Sequence, residues 1–550
     1  MSEYTVGIHL LRRLRELGIE HVFGVPGDYV LTVIDRIEAS PELTWVGSCN
    51  ELNAAYSADG YARITGAGAF VVTAGVGDLG AAGGMGGSFA ERVPVVMISG
   101  IPASEATAGK KWIHHSTGDG DFSSFRRMFD EITVDSALVS AVDAVDVIDR
   151  LLTSARDQRG PVFLALPDDV VDVPVDRPAG PLPAPHTADS AALSAVLDRV
   201  SALAVAASRV VAVVDVGVRQ QGLDDELRTF LGATGIAWAA TWAAQWHVPD
   251  PSGTDFLGVY AGRRSPAVAR VDGADLLLRI GLRSDEANTG RAAPDAPRTG
   301  VVDIEPDAVV VDGERVAGLP MRDVLAALAD RIAVPAGLPV TTAPGKATAT
   351  FEPVPDTPLT QDRLWHAVQD HLRPGDTLAV DQGTCNLGLR SVQVPAGIRV
   401  LEQSSWMAIG WSVPALLGAS LADPARRPVV VIGDGALALT VQELSTLLTA
   451  AVAPLVLVLN NGGYVIEDAV VGGRRMACND LWAWRYSDLP GVFDGTGEHR
   501  PLGLRVHTED ELAAALAEAD KAQADGRLAL IEVVLDREDM PKLLRRLNWK

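Results

Sequence analysis

The chain has 550 residues, 47% hydrophobic and 21% charged, so it can fill several cores and is not a disordered polymer. Its formal charge of −24 (47 Lys and Arg against 71 Asp and Glu) opposes binding to nucleic acid or an anionic membrane surface. No uncharged apolar run reaches the roughly 18 residues of a membrane span, Met1–Leu10 lacks the basic flank of a secretory signal, and Cys49, Cys385 and Cys478 are too scattered for a disulfide framework or a zinc site. The expectation is a soluble cytoplasmic enzyme.

Along the chain, Val6, Leu10, Leu14 and Leu17 follow helical spacing, Gly18 caps that helix, and His21–Val25 reads as a strand. Phe70–Val72, Val95–Ile98 and Val162–Leu166 are continuous apolar runs, the signature of strands buried on both faces. Six prolines between Pro167 and Pro185 predict an extended linker. Val210–Val214, Leu276–Ile280 and Val301–Ile304 repeat the strand pattern, and six more prolines between Pro335 and Pro358 interrupt it again. Leu364, Val368 and Leu372 then stripe a helix, followed by strands at Val429–Ile432, Leu455–Leu459 and Leu528–Val534. This alternation predicts an α/β protein with parallel sheets in three domains, at residues 1–175, 190–335 and 358–550. The middle domain reads as Rossmann-like, yet no Gly-x-Gly-x-x-Gly follows a strand there, so no nucleotide is assigned to it.

The sharpest chemical signal is Gly433-Asp434-Gly435 at the end of a strand, with a helical pattern beginning at Ala436. Such a turn presents backbone N–H groups to a phosphate, but Asp434 would repel one unless a cation lay between. Mg²⁺ suits that role, because it takes oxygen ligands from few protein groups and from phosphates. The Asn461 amide oxygen and the Gly463 carbonyl, at the next strand end, supply further ligands. With 24 residues between Gly435 and Asn460-Asn461, the segment resembles the diphosphate-binding motif of thiamine diphosphate (ThDP) enzymes.

A second segment, Asn50-Glu51-Leu52-Asn53, sets Glu51 at a helix start beyond the strand Thr44–Cys49. It resembles the pyrimidine-binding domain of the same family, whose glutamate holds N1′ of the cofactor and favours the imino form that deprotonates C2. Pro26-Gly27-Asp28-Tyr29, His114-His115 and Tyr464-Val465-Ile466-Glu467 resemble the acid–base set of pyruvate and indolepyruvate decarboxylases. The resemblance spans the whole chain. It implies a pyrimidine-binding first domain, a Rossmann-like middle one and a diphosphate-binding third. The implied reaction is non-oxidative decarboxylation of a 2-oxo acid to an aldehyde and CO2 through an enamine on the cofactor. Asp28, His114, His115 and Glu467 would relay protons, their separate steps unassigned. Cofactor contacts fall, by the same resemblance, to Glu51, Gly383, Met407, Ile409, Gly433, Asp434, Gly435, Ala436, Asn461, Gly463, Tyr464 and Val465, with Ile409 as the wedge that bends the cofactor.

Some positions depart from the family. Ala436 replaces a serine, Met407 a glycine, Ala74 a tyrosine and Gly83 an asparagine. In the expected substrate pocket, formed with Ile466 and Val470, Asn386 stands where relatives carry an aromatic residue, and either Glu286 or Ala287 fills a further lining position. These changes predict a wider, more polar pocket than a pyruvate-specific one. Family architecture pairs the first domain of one subunit with the third of another, implying a homodimer or homotetramer. The competing readings are a carboligase of the acetolactate synthase type, an NAD-linked oxidoreductase, which leaves Glu51 and the Asp434–Asn461 spacing unexplained, and a non-catalytic binding protein.

Overall fold

The computed structural model describes residues 4–246, 254–262, 265–283, 286–289, 299–332, 350–391 and 393–546, without the side chains of residues 286, 287 and 546. The first sheet contains β1 (His21–Gly24), β2 (Thr44–Gly47), β3 (Gly68–Thr73), β4 (Val95–Ile101), β5 (Asp135–Leu138) and β6 (Val162–Pro167) in the order β2-β1-β3-β4-β6-β5. All its neighbours are parallel. Every residue of β3, β4 and β6 is buried, as expected of strands covered by helices on both faces.

The second sheet contains β7 (Val210–Val214), β8 (Ala237–Ala240), β9 (Phe256–Val259), β10 (Leu276–Ile280), β11 (Val301–Glu305), β12 (Ala308–Val311) and β13 (Glu314–Ala317), in the order β13-β12-β11-β10-β7-β8-β9. It is parallel from β9 to β11, but β12 and β13 add an antiparallel edge. The cause is local: Asp312 and Gly313, at φ of 47° and 89°, make a two-residue turn whose twist suits a hairpin.

The third sheet contains β14 (Asp376–Val380), β15 (Arg399–Leu401), β16 (Arg427–Gly433), β17 (Leu455–Asn460), β18 (Leu502–Val506) and β19 (Ala529–Val534). Its order is β15-β14-β16-β17-β19-β18, parallel throughout. The first and third sheets lie in one compact unit formed by Met1–Pro183, Ala349–Val394 and Ile398–Lys550. Ala184–Thr348 with Pro395–Gly397 forms the other. Among the described residues, no helix is long and apolar enough to cross a membrane.

Within the first unit, helix Glu51–Thr65 crosses helix Ser412–Ala422 with backbones almost touching. A Cβ at Gly60 would stand 2.0 Å from the Ala415 carbonyl oxygen, and one at Gly418 would stand 1.9 Å from that of Ser57. Only glycine permits this approach. Beside the crossing, a buried ionic cluster ties the two lobes. Arg63 donates to Asp59 (2.7 Å) and faces Glu91 at 3.8 Å, while the Trp411 indole N–H donates to Asp59 at 3.0 Å. Buried charges are tolerated when opposite charges and hydrogen bonds compensate them in this way.

Candidate active site

Glu51 begins its helix, behind Asn50, whose side chain caps it by accepting the Asn53 N–H at 2.8 Å. The Glu51 carboxylate lies over two glycines of helix Val76–Glu91: Cβ atoms built on Gly77 and Gly80 would sit 3.6 and 2.8 Å from its oxygens. It accepts no hydrogen bond from any described residue, so both oxygens remain available to a ligand.

The acid–base residues meet at the end of the first sheet. Asp28 opens the short turn Asp28–Val30, four residues past β1. His114 Nε2 lies 2.6 Å from one Asp28 oxygen and His115 Nε2 lies 3.9 Å from the other. Their ring centroids are 4.7 Å apart, and Tyr29 stacks on His114 at 5.1 Å. Neighbouring side chains on an extended backbone point to opposite sides. Here His115 adopts φ of 58°, a left-handed kink that turns both imidazoles onto one carboxylate. The three ligand atoms lie within 4.8 Å of one another, close enough to share a proton or a borderline metal ion. Glu467 is not part of this cluster. It is exposed on helix Val465–Val470, and no hydrogen bond or ion pair joins it to Asp28, His114 or His115.

The phosphate and metal candidates gather where adjacent β16 and β17 end, with Gly433 paired in register to Leu459. Asp434 is buried; one oxygen accepts the Gly435 N–H and the other the Gly462 N–H, each at 2.8 Å. Burial pushes its carboxyl up to about 6, against the pull of these backbone donors. Asn461 is 7% exposed, and its amide oxygen has no hydrogen-bond partner. A carboxylate without a cation beside an orphaned amide oxygen has the oxygen donor set that Mg²⁺ accepts, so these residues fit the ion. The Gly463 carbonyl accepts the Val465 N–H at 2.9 Å and keeps one lone pair. A Cβ at Gly433 would meet nothing within 4 Å, leaving room at the strand end, whereas one at Gly435 would strike the Tyr464 ring at 2.5 Å. Ala436 is buried in the turn after Gly435.

The segment carrying Met407 and Ile409 is held from both lobes. Glu91 accepts the Ser405 and Trp406 N–H groups at 2.6 and 2.9 Å. Asp381, just past β14, accepts from the Gly410 N–H, the Ser412 N–H and the Ser412 hydroxyl at 3.1, 3.1 and 2.7 Å. Burial raises the carboxyl groups of both acids. Met407 has φ of 55°, a backbone angle that glycine adopts more readily, and its carbonyl accepts no hydrogen bond from a described residue. Ile409 is half-buried beside it. Neither Asp381 nor Glu91 was marked as a functional residue by sequence. Asp381 carries a weak signal, an acid closing an apolar strand; Glu91 carries none, because the amides it accepts from are more than 300 positions away.

Of the expected pocket residues, Ile466 lies beside Gly383, its methyl 4.0 Å from where a Cβ would be, and Val470 is exposed one helical turn on. The Asn386 amide is fully engaged: it donates to Glu402 and accepts from Arg390 at 2.9 Å, while Arg390 and Glu402 form a buried pair at 3.0 Å. The polar atoms of that side chain are therefore turned into the protein. Glu286 begins the short helix Glu286–Thr289, and its side chain, like that of Ala287, lies outside the described residues.

Family models match this chain in three stretches: the N-terminal TPP (ThDP) binding domain of thiamine pyrophosphate enzymes at residues 4–124, their central domain at 197–345 and their C-terminal TPP binding domain at 381–533. The chain belongs to the thiamine pyrophosphate enzyme family. It is 38% identical over 549 residues to an alpha-keto-acid decarboxylase of Mycolicibacterium paratuberculosis, covering 98% of this chain and 95% of that one. The same identity links it to alpha-keto-acid decarboxylases of Mycobacterium leprae, over 553 residues (99% and 95%), and Mycobacterium tuberculosis, over 559 residues (99% and 96%).

Proposed function

We propose that the protein decarboxylates a 2-oxo acid without oxidation, releasing an aldehyde and CO2, with ThDP and Mg²⁺ as cofactors. The observation that carries this reading is the pairing of a buried oxygen site, Asp434 beside the unpartnered Asn461 amide oxygen, with a proton-transfer cluster, Asp28 with His114 and His115, on a family scaffold. Residues 1–175, 190–335 and 358–550 serve as its pyrimidine-binding, middle and diphosphate-binding domains.

ThDP, when bound, supplies the carbon nucleophile and the electron sink for loss of CO2. Asp434, Asn461 and Gly463 would hold Mg²⁺, and Gly433, Gly435 and Ala436 would receive the diphosphate. Glu51 would accept a hydrogen bond from the pyrimidine ring, the Met407 carbonyl would receive its amino group, and Ile409, Gly383, Tyr464 and Val465 would pack against the cofactor. Asp28 orients the imidazoles and holds the proton they exchange. Glu467, on the helix with Ile466 and Val470, belongs to the same proton relay and faces the substrate carboxylate. A general acid or base so placed contributes about 10²–10⁴-fold.

The protein works as a homodimer or homotetramer. In the single chain no hydrogen bond or ion pair links Glu51 or the Asp28 cluster to Asp434, Asn461 or Glu467, and Val76, Leu79, Met407 and Leu439 stand exposed and apolar on the same unit. A second copy would cover them and complete the site. The free thiols of Cys49, Cys385 and Cys478 suit the reducing cytoplasm. With the Asn386 amide engaged, the pocket is wider at that position. The substrate side chain is therefore larger than the methyl of pyruvate.

The test is release of CO2 and aldehyde from pyruvate, phenylpyruvate, indolepyruvate and a basic 2-oxo acid, each with and without ThDP and Mg²⁺. Cofactor-dependent aldehyde formation is expected, fastest with a large side chain. A clear preference for pyruvate would refute the pocket assignment, and 2-hydroxy-2-alkyl-3-oxo acids as the main products would point to the carboligase.

A further inference from the structure

Helix Val76–Glu91 starts in an unusual way. Its N-cap is Gly75, at φ of 73° and ψ of −90°, whose N–H donates to Asp78 Oδ2 at 2.9 Å. A Cβ built on Gly75 would stand 2.2 Å from the His115 carbonyl oxygen and 3.5 Å from Phe125. The left-handed residue of the histidine pair is thus seated, backbone on backbone, on a turn that one carboxylate closes.

A surface capping acid needs no burial. Asp78 is 1% exposed, and burial pushes its carboxyl up to about 6. Its second oxygen, Oδ1, accepts no close hydrogen bond, although the Ser99 hydroxyl lies near enough to oppose part of that rise. Asp78, Ala74, His115, Ser116 and Phe125 line a cavity of about 20 Å³, room for one water molecule. The other charged groups on that cavity are spoken for: Asp121 pairs with Arg127 and Arg126 with Asp130. A buried acid that spends one oxygen on the Gly75 turn, in a cavity it shares with His115, is costly for the fold unless that loop conformation matters.

We propose that Asp78 is a positioning residue for the histidine pair: by closing the Gly75 turn it seats the His115 carbonyl and holds that residue in the kink that turns both imidazoles onto Asp28. The proposal rests on the acid–base reading of the pair given above. Asp78 touches neither substrate nor cofactor in this scheme. It acts through His115, and Gly75 is the intermediary.

The test is a double-mutant cycle on the enzyme loaded with ThDP and Mg²⁺, read as kcat for aldehyde release. Asp78→Ala is expected to lower kcat about 10–100-fold, part of what an acid–base group supplies, with KM little changed and the imidazole limb of the pH profile shifted. Added to His115→Ala, it should lower kcat no further. Asp78→Asn keeps an acceptor for the Gly75 N–H and restores most of the rate. Multiplying losses in the double variant, or wild-type kcat and pH profile in Asp78→Ala, overturn the proposal. If Asp78→Ala does not fold, Gly75→Ala replaces it in the cycle with the same two outcomes. If the wild-type enzyme releases no aldehyde at all, the functional reading has failed, yet the seat is still measurable. Diethyl pyrocarbonate should then modify His114 and His115 faster in Asp78→Ala, mapped by mass spectrometry, and an unchanged rate overturns the proposal.

Discussion

The two chemical centres of the compact unit formed by the first and third sheets solve opposite problems. Asp28, His114 and His115 are exposed to intermediate or greater degree and satisfy one another. Asp434 and Asn461 are buried: backbone N–H donors hold the first without offsetting its burial, and the amide oxygen of the second has no donor. The first arrangement suits groups that must exchange protons with a changing substrate. The second suits a permanent resident whose binding repays the burial. Unmet need marks a place for a ligand, whereas mutual pairing marks groups meant to act.

Replacing one member on each side would sharpen this contrast. Asp434→Ala should have the largest effect, abolishing activity and weakening Mg²⁺-dependent ThDP binding at least about a hundredfold by tryptophan fluorescence titration. His115→Ala should lower kcat about 10²–10³-fold while cofactor binding stays near wild type. Similar losses of cofactor affinity in both variants would erase the distinction.

A third buried acid tests whether burial without a ligand is simply a burden. Glu443 is fully buried, accepts from Asn53 at 2.7 Å, and is pushed by burial up to about 7. The folded state binds this proton more tightly than the unfolded chain does. The stability it contributes is therefore complete below about pH 4.5 and is lost as pH rises through about 7, withdrawing about 3 kcal/mol by pH 8. Glu443→Gln should raise the thermal midpoint at pH 8 and flatten its fall between pH 6 and 8; an unchanged slope would count against this assignment. The smallest effect belongs to Met407→Gly, which releases a left-handed non-glycine residue and should stabilise the fold by about 0.5–1 kcal/mol in chemical denaturation.

Reading the chain as sequence located what is local. Asp434 and Asn461 end neighbouring strands because two continuous apolar runs lie at the right separation, and Glu51 follows a capping Asn50 that any chain would use to start a helix. The parallel cores of all three sheets were legible for the same reason. Asp312-Gly313 also announced the β12–β13 hairpin, but strand direction was inferred from the surrounding α/β pattern and that local signal was passed over. What stayed hidden depends on distant partners or on backbone angles. The Asn386 amide looks free until Arg390 and Glu402 close on it. Adjacent histidines look incidental until the kink at His115 aligns them. Glu91 looks like an ordinary helix-end acid until the Ser405 and Trp406 amides arrive from the other lobe.

The glycine crossing of helices Glu51–Thr65 and Ser412–Ala422 bears on how this enzyme can move. With Gly60 against Ala415 and Gly418 against Ser57, there is no slack for one lobe to slide over its neighbour in the same chain. Within this unit any opening and closing around a substrate falls to loops and not to sliding of these helices, and engineers seeking altered turnover should leave the welded pair untouched.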